Sequence, residues 1–111
     1  RRVTDAQSAV VVMMTAPSSQ VAEQIAGTVV EERLAACGNI VPGLTSIYRW
    51  EGVVQKDAEV LVLFKTERHA VERLIERIAQ LHPYEVPEAI ALPVGAGLAP
   101  YLSWIAANVD G

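Results

Sequence analysis

Apolar and polar positions change period along the chain, and each change marks an element. Residues 9–15, Ala-Val-Val-Val-Met-Met-Thr, form a short, almost unbroken apolar run that predicts a buried strand. Ala16 and Pro17 end it, and Ser18 or Ser19 is placed to cap a helix. Val21, Ala22, Ile25, Ala26, Val29, Val30 and Leu34 then recur at three- and four-residue spacing, while Glu23, Gln24, Glu31, Glu32 and Arg33 take the opposite side. That is an amphipathic helix, expected to run to residue 35 or 36. From Cys37 strand character returns. Pro42-Gly43 interrupts it as a bulge or bend, residues 45–50 continue extended, and Glu51-Gly52 supplies a tight reversal. The chain then runs back from Val53 through Gln55-Lys56-Asp57 into the apolar run 60–64. The result is a hairpin with arms longer than a typical strand of about five or six residues.

Thr66 is the expected cap of a second helix, with Val71, Leu74, Ile75, Ile78 and Leu81 as its apolar stripe. Pro83 ends it, because a residue before proline is pushed out of helical angles. Residues 86–94 read as a strand, 95–99 as a loop, and Pro100 suits the first turn of a short terminal helix carrying Leu102, Trp104 and Ile105. The order predicts an α+β, ferredoxin-like βαββαβ sandwich: an antiparallel sheet with both helices on one face, plus a C-terminal helix. A sheet with one wet face should alternate apolar and polar residues. Residues 10–14, 60–64 and 89–92 barely do. The second face must therefore be covered, and the short terminal helix is too small to do so alone. Other subunits are the economical cover.

Length and composition narrow the picture. The 111 residues suit one domain over 9–111, behind a loose polar tail at 1–8. That tail holds neither the apolar stretch nor the small-residue cleavage site of a secretory signal, and no run approaches a membrane span. Net charge is −4 with both signs scattered, so no basic face is available for nucleic acid. A membrane partner is likewise not expected. The single cysteine, Cys37, forms no internal disulfide and no Cys-x-x-Cys pair, which suits a reducing, cytoplasmic compartment.

Other uses of such a fold fail on particular residues. A heavy-metal chaperone needs Cys-x-x-Cys after the first strand, and an acylphosphatase needs an arginine beside a cradle of backbone amides. Residues 15–20, Thr-Ala-Pro-Ser-Ser-Gln, hold neither cysteine nor arginine. An RNA-binding sheet shows paired aromatics, and the two central strands offer only Phe64. No nucleophile–base arrangement or phosphate-binding glycine loop stands out, so a binding protein is expected rather than an enzyme.

Four segments carry a family likeness: V-V-V-M-M-T-A-P (10–17), E-E-R-L-A-A-C-G-N-I-V-P-G (31–43), S-I-Y-R-W-E-G (46–52) and L-H-P-Y-E-V-P-E (81–88). With A-L-P-V (91–94) and Y-L-S-W-I (101–105), the chain after its tail resembles the CutA divalent-cation-tolerance proteins. The resemblance implies the ferredoxin-like fold, a tightly packed homotrimer, kinship in shape with the PII signalling proteins, and a link to copper and other divalent ions. Copper-binding members place a Cys directly before Thr-Ala-Pro and two His before Pro-Tyr. Here those positions hold Met14, Leu81 and His82.

The candidate metal set is therefore His82, Met14 and Glu85: one imidazole, one thioether and one carboxylate. Such a set is too poor for a closed zinc site and predicts weak binding, copper before zinc, with no metal needed for folding. The bland alternatives are a helix exit stiffened by proline and a methionine that fills the core. Cys37 reads as a buried, inert thiol or a reactive one, and Asn39 as a satisfied polar group or a subunit contact. The Trp50 indole packs on a neighbour or stacks on a ligand. A cleft between subunits is expected, lined by Tyr48, Trp50 and Glu51 of the hairpin tip and His82, Tyr84 and Glu85 of the helix exit. Arg49, Glu59 and Lys65 read as strand-edge or cleft charges, and His69 as a solvated helix residue. The function expected is a trimer that answers to a metal ion or small ligand. The alternative is a scaffolding trimer that binds another protein and has no specific metal site.

Overall fold

The structure, a computed structural model, describes residues 2–111; Arg1, part of the expected tail, lies outside them. Strand β1 spans Val3–Asp5, β2 Ala9–Ala16, helix α1 Ser19–Glu31, β3 Cys37–Trp50, β4 Val53–Glu67, α2 Val71–Leu81, β5 Ala89–Pro93, β6 Ala96–Leu98 and α3 Ala99–Ala107. The fold is α+β. Four strands form an antiparallel sheet in the order β3-β4-β2-β5. Helix α1 connects two strands separated by β4, and α2 connects two separated by β2.

Both helices lie on one face because one side of each central strand is apolar at every second residue. Val10, Val12, Met14 and Ala16 of β2 and Val60, Val62 and Phe64 of β4 pack with Ala22, Ile25, Ala26 and Val29 of α1 and Leu74 and Ile78 of α2. The approach of α1 to the sheet is close. A Cβ on Gly38 would lie 3.1 Å from the Phe64 ring and 3.2 Å from the Ala26 methyl group.

The helix boundaries have local causes. Ser18 caps α1, its Oγ accepting from the Val21 N–H at 3.2 Å. The helix stops at Glu31, short of the expected 35 or 36, because Arg33 adopts left-handed geometry (φ 61°). The Leu34 N–H then reaches back to Val29 O at 2.9 Å and the Arg33 N–H to Val30 O at 3.0 Å, a Schellman closure. Thr66 is no helix cap. It is buried within β4, donating to Leu34 O at 2.7 Å, and a 3₁₀ turn at Arg68–Ala70 leads into α2 instead.

Two further expectations give way. The tail and the loop at 95–99 meet as a small second sheet, Val3 opposite Leu98 and Asp5 opposite Ala96. Strands of three residues leave no periodic signature. The long-range bonds Ala6 N–H to Gly95 O (3.0 Å) and Ala99 N–H to Arg2 O (2.9 Å) hold them in place. Pro100 does sit in the first turn of α3, whose Ile105, with Val109 beyond it, packs on Ala9, Ala36 and Ala70. This helix covers one end of the second sheet face only. Ile90 remains 52% exposed, with Leu92 and Val41 also open to solvent. No described helix is long and apolar enough to cross a membrane.

The β3–β4 hairpin turns at Glu51 (φ 49°) and Gly52 (φ 80°), both left-handed, as a two-residue type I′ turn requires. The ladder shifts register between Val41 and Leu44, where Gly43 has φ 84°, so Pro42-Gly43 is a bulge. The bulge sets which side chains share a face. On β4 the open face runs Lys65, Leu63, Leu61, Glu59, Asp57; opposite them stand Cys37, Asn39 and Val41, then Leu44 and Ser46. Even-numbered residues of β3 thus continue, beyond the bulge, the face that odd-numbered ones began.

Candidate functional site: the cleft beside the hairpin arm

Beyond the bulge the hairpin leaves the helices behind and becomes an arm; the chain measures 47 × 25 × 21 Å. Alternation places Ser46, Tyr48 and Trp50 of β3 on the same side as Asp57 and Glu59 of β4. Facing them is the link from α2 to β5. Together Thr15, the arm and residues 83–88 enclose a cleft of about 670 Å3.

The link is positioned by His82. As the C-cap of α2, held extended (ψ 138°) ahead of Pro83, it is buried. Its Nδ1 accepts the Tyr84 N–H at 3.1 Å, which leaves Nε2 protonated and donating to Thr15 O at 2.7 Å. Both ring nitrogens are occupied, and the imidazole ties the link to the end of β2. The ring also lies 4.7 Å from that of Tyr84, tilted at 54°.

Tyr84 extends from this strut across the cleft, and its hydroxyl donates to Glu59 Oε2 at 2.9 Å. Burial, then the bond to the Glu59 carboxylate, pushes the Tyr84 hydroxyl up to about 12. Higher on the arm the Tyr48 hydroxyl donates to Asp57, and that bond is the main cause of an upward shift at Tyr48. The cleft is thus edged by carboxylates, with Glu85 and Glu88 on the link, and by the rings of Tyr48, Trp50 and Tyr84.

The structure sorts the expected site residues. Tyr48, Trp50, Tyr84 and Glu85 come together in the cleft. Glu51 sits exposed at the turn, outside the lining. Cys37 and Asn39 share the open sheet face but lie at its opposite end, where the thiol approaches Asn39 Oδ1 at 3.6 Å and Lys65 Nζ bonds the same oxygen. The Tyr101 hydroxyl is raised by burial and by the Cys37 thiol beside it.

The set His82, Met14 and Glu85 is not assembled as a metal site. Met14 is sealed in the core under the helices, the His82 nitrogens are both spent, and Glu85 is exposed on the link. Among the described residues no three His, Cys, Asp or Glu side chains are grouped so as to hold a metal ion. His69 is exposed on the 3₁₀ turn, as expected of a solvated helix residue, and its Nε2 also binds Asp110 O at 2.7 Å.

Asp57 is the residue that sequence reasoning passed over. The signal lies in the turn: counting outward from Glu51-Gly52 pairs Tyr48 with Gln55 and Ser46 with Asp57, which leaves Tyr48 and Asp57 as a diagonal pair on one face. The same count places Glu59 opposite Leu44, one step nearer the link.

Comparison with known proteins agrees with this architecture. The family model for CutA1, the divalent ion tolerance protein, matches residues 10–108. The chain is 58% identical over 98 residues to the divalent-cation tolerance protein CutA of Thermus thermophilus, covering 88% of this chain and 95% of that one. It is 51% identical over 92 residues to mouse protein CutA, 83% of this chain but 52% of the relative, so it spans about half of that longer protein. The solved Thermus thermophilus structure superposes with a TM-score of 0.90 at 56% identity, over 92% of this chain and 99% of that chain. CutA from Synechococcus elongatus reaches 0.93 at only 28% identity, over 98% and 96%. The chain belongs to the CutA family of divalent-cation tolerance proteins.

Proposed function

We propose that this chain works as a homotrimeric, cytoplasmic binding protein of PII-like, ferredoxin-like architecture, taking a metal ion or small ligand in the cleft beside its hairpin arm. The observation that carries this reading is the open face of the sheet and arm. It leaves Ile90, Leu92 and Val41 exposed on the sheet and Trp50 exposed on the arm. Apolar surface of that extent on a 12.0 kDa chain calls for a partner, and a second and third copy supply one without any other protein. The cleft then lies where subunits meet.

Binding without turnover suits the cleft's groups, which are carboxylates and tyrosine hydroxyls already bonded to one another. Direct metal coordination by one protomer is weak, micromolar or looser, equivalent to roughly −8 kcal/mol at best. With His82 committed to its strut, the cleft carboxylates, Glu85 among them, are the groups a copper or other divalent ion meets first.

Sedimentation equilibrium at micromolar concentration tests the assembly: three times 12.0 kDa is expected, and a lone 12.0 kDa species overturns it. Copper titration of the wild type against His82→Ala tests the site. Equal heats from two folded proteins are expected, and uptake lost with the imidazole returns the metal to His82.

A further inference from the structure

We propose that the cleft is built for an organic cation, an alkylammonium or guanidinium group on a small molecule, held between aromatic rings and separated carboxylates. The proposal rests on the reading of the cleft as the binding site and names the chemistry of what enters it.

The charge pattern comes first. Asp57, Glu59, Glu85 and Glu88 line the cleft, and no Lys, Arg or His of the described residues does. An anion therefore meets repulsion from every wall. Glu59 is the most telling of the four. It is only 8% exposed, yet its one hydrogen-bond partner among the described residues is the neutral Tyr84 hydroxyl, on Oε2. Its Oε1 bonds to none of the described residues but is not sealed off, so it is left to face the cleft. The ion pairs among the described residues, Arg33–Asp110 and Arg77–Glu32, use none of the cleft carboxylates. A carboxylate withdrawn from water is costly to keep without a cation, and the described residues of this chain pair none with it.

Geometry then decides what kind of cation. Divalent metals require several ligand atoms converging to within about 2.0–2.6 Å of one point. The cleft carboxylates do not converge: no three of them are grouped closely enough to hold an ion. They are spread round about 670 Å3, within the range of small-molecule sites. Dispersed negative charge suits a polyatomic cation whose own charge is dispersed.

The rings supply the remaining recognition. The hydroxyls of Tyr48 and Tyr84 are engaged with Asp57 and Glu59, so ring surface is what these residues offer a ligand, together with the Trp50 indole. Aromatic surface beside carboxylates attracts ammonium and guanidinium groups and discriminates against neutral molecules of the same shape.

The test uses benzyltrimethylammonium as the cation and benzyl alcohol as the neutral comparison, read by fluorescence of Trp50 in the assembled Trp104→Phe protein. Saturable change with the ammonium is expected, with affinity at least about tenfold above that for benzyl alcohol. Glu59→Gln should lower the ammonium affinity about tenfold. Asp57→Asn on the exposed arm gives a second reading, a smaller loss, should the buried substitution not fold. Equal affinity for ammonium and alcohol, or ammonium binding unchanged in the folded variants, overturns the proposal. If the ammonium has no effect while copper alone changes Trp50 fluorescence saturably, the organic-cation class falls and the cleft stands. If neither acts, both fall.

Discussion

The two halves of the β3–β4 hairpin share the same strands and an almost continuous ladder, yet they live in opposite environments. Below the bulge at Pro42-Gly43, Val60, Val62 and Phe64 are buried beneath α1 and α2. Above it, Ile47 is 69% and Trp50 43% exposed, with Val53 and Val54 also open. Both halves carry apolar side chains; what differs is the helical layer, which ends where the arm begins. Hydrogen bonding therefore does not explain where the hairpin is stable. The lower half is stabilised by burial within one chain, whereas the upper half carries apolar side chains that the chain leaves exposed.

That difference predicts where damage shows. The largest effect belongs to the lower half. Phe64→Ala removes the largest fully buried side chain, and the pocket around it is already tight at Gly38. A loss of about 3–5 kcal/mol is expected in urea unfolding, and a loss below 1 kcal/mol would show that the core collapses into the gap.

Trp50→Ala tests the upper half. Its cost should appear in association, about 2 kcal/mol or more, while the far-ultraviolet circular dichroism of the chain stays unchanged. Sedimentation over a dilution series reads it. Equal loss of assembly and of secondary structure would erase the distinction between the halves.

The cleft spans the junction of the two halves, and Tyr84 reports on it through pH. Its folded pKa, raised to about 12, lies above the ordinary 10.0, so the fold favours the neutral hydroxyl. The stabilisation is fully present below pH 10 and is lost as pH climbs towards 12. Tyr84→Phe should cost about 1 kcal/mol at neutral pH, the net worth of one hydrogen bond, and should flatten the alkaline decline in thermal midpoint. An identical decline in the variant would place its origin elsewhere, with Tyr48 the first candidate.

How much of this was legible in the sequence follows the same division. The periodic elements were: the β2 run, the stripes of α1 and α2, the bulge and the turn all fall where apolar spacing and glycine chemistry put them. The pieces that were not legible depend on long-range partners. β1 and β6 are three residues each and exist through one another, and Thr66 looks like a helix cap until Leu34 O is seen beside it. The site divides likewise. Tyr48, Trp50, Tyr84 and Glu85 were grouped from two loop-like motifs as lining a cleft between subunits, and they line one cleft within the chain. The use of His82 as a strut, by contrast, rests on Thr15 O, a backbone atom sixty-seven residues away. No motif records a partner of that kind.

The smallest expected effect lies at the far edge of the helical layer, where Arg33 closes α1 and also clasps the C-terminus. Two terms compete there. Left-handed geometry in a non-glycine residue costs about 1–2 kcal/mol, and Arg33 has φ 61°. Against this, its Nε lies 2.6 Å from Asp110 Oδ1 and its guanidinium donates to Ala107 O at 2.9 Å, but the partners are 46% and 59% exposed. An exposed pair is worth about 0–1 kcal/mol. The backbone bond from Asp110 N–H to Arg33 O, 3.0 Å, survives any side-chain change. Arg33→Ala keeps the strain and loses the clasp, so it should destabilise by about 0.5–1 kcal/mol. Arg33→Gly loses the clasp and adds glycine's chain-entropy cost of about 0.5–1 kcal/mol, but it relieves the strain, so its stability should fall within about 0.5 kcal/mol of the wild type. The glycine variant should therefore exceed the alanine variant in urea midpoint at equal protein concentration. The reverse order would mean that the clasp on α3, rather than the backbone of α1, sets the stability of this edge.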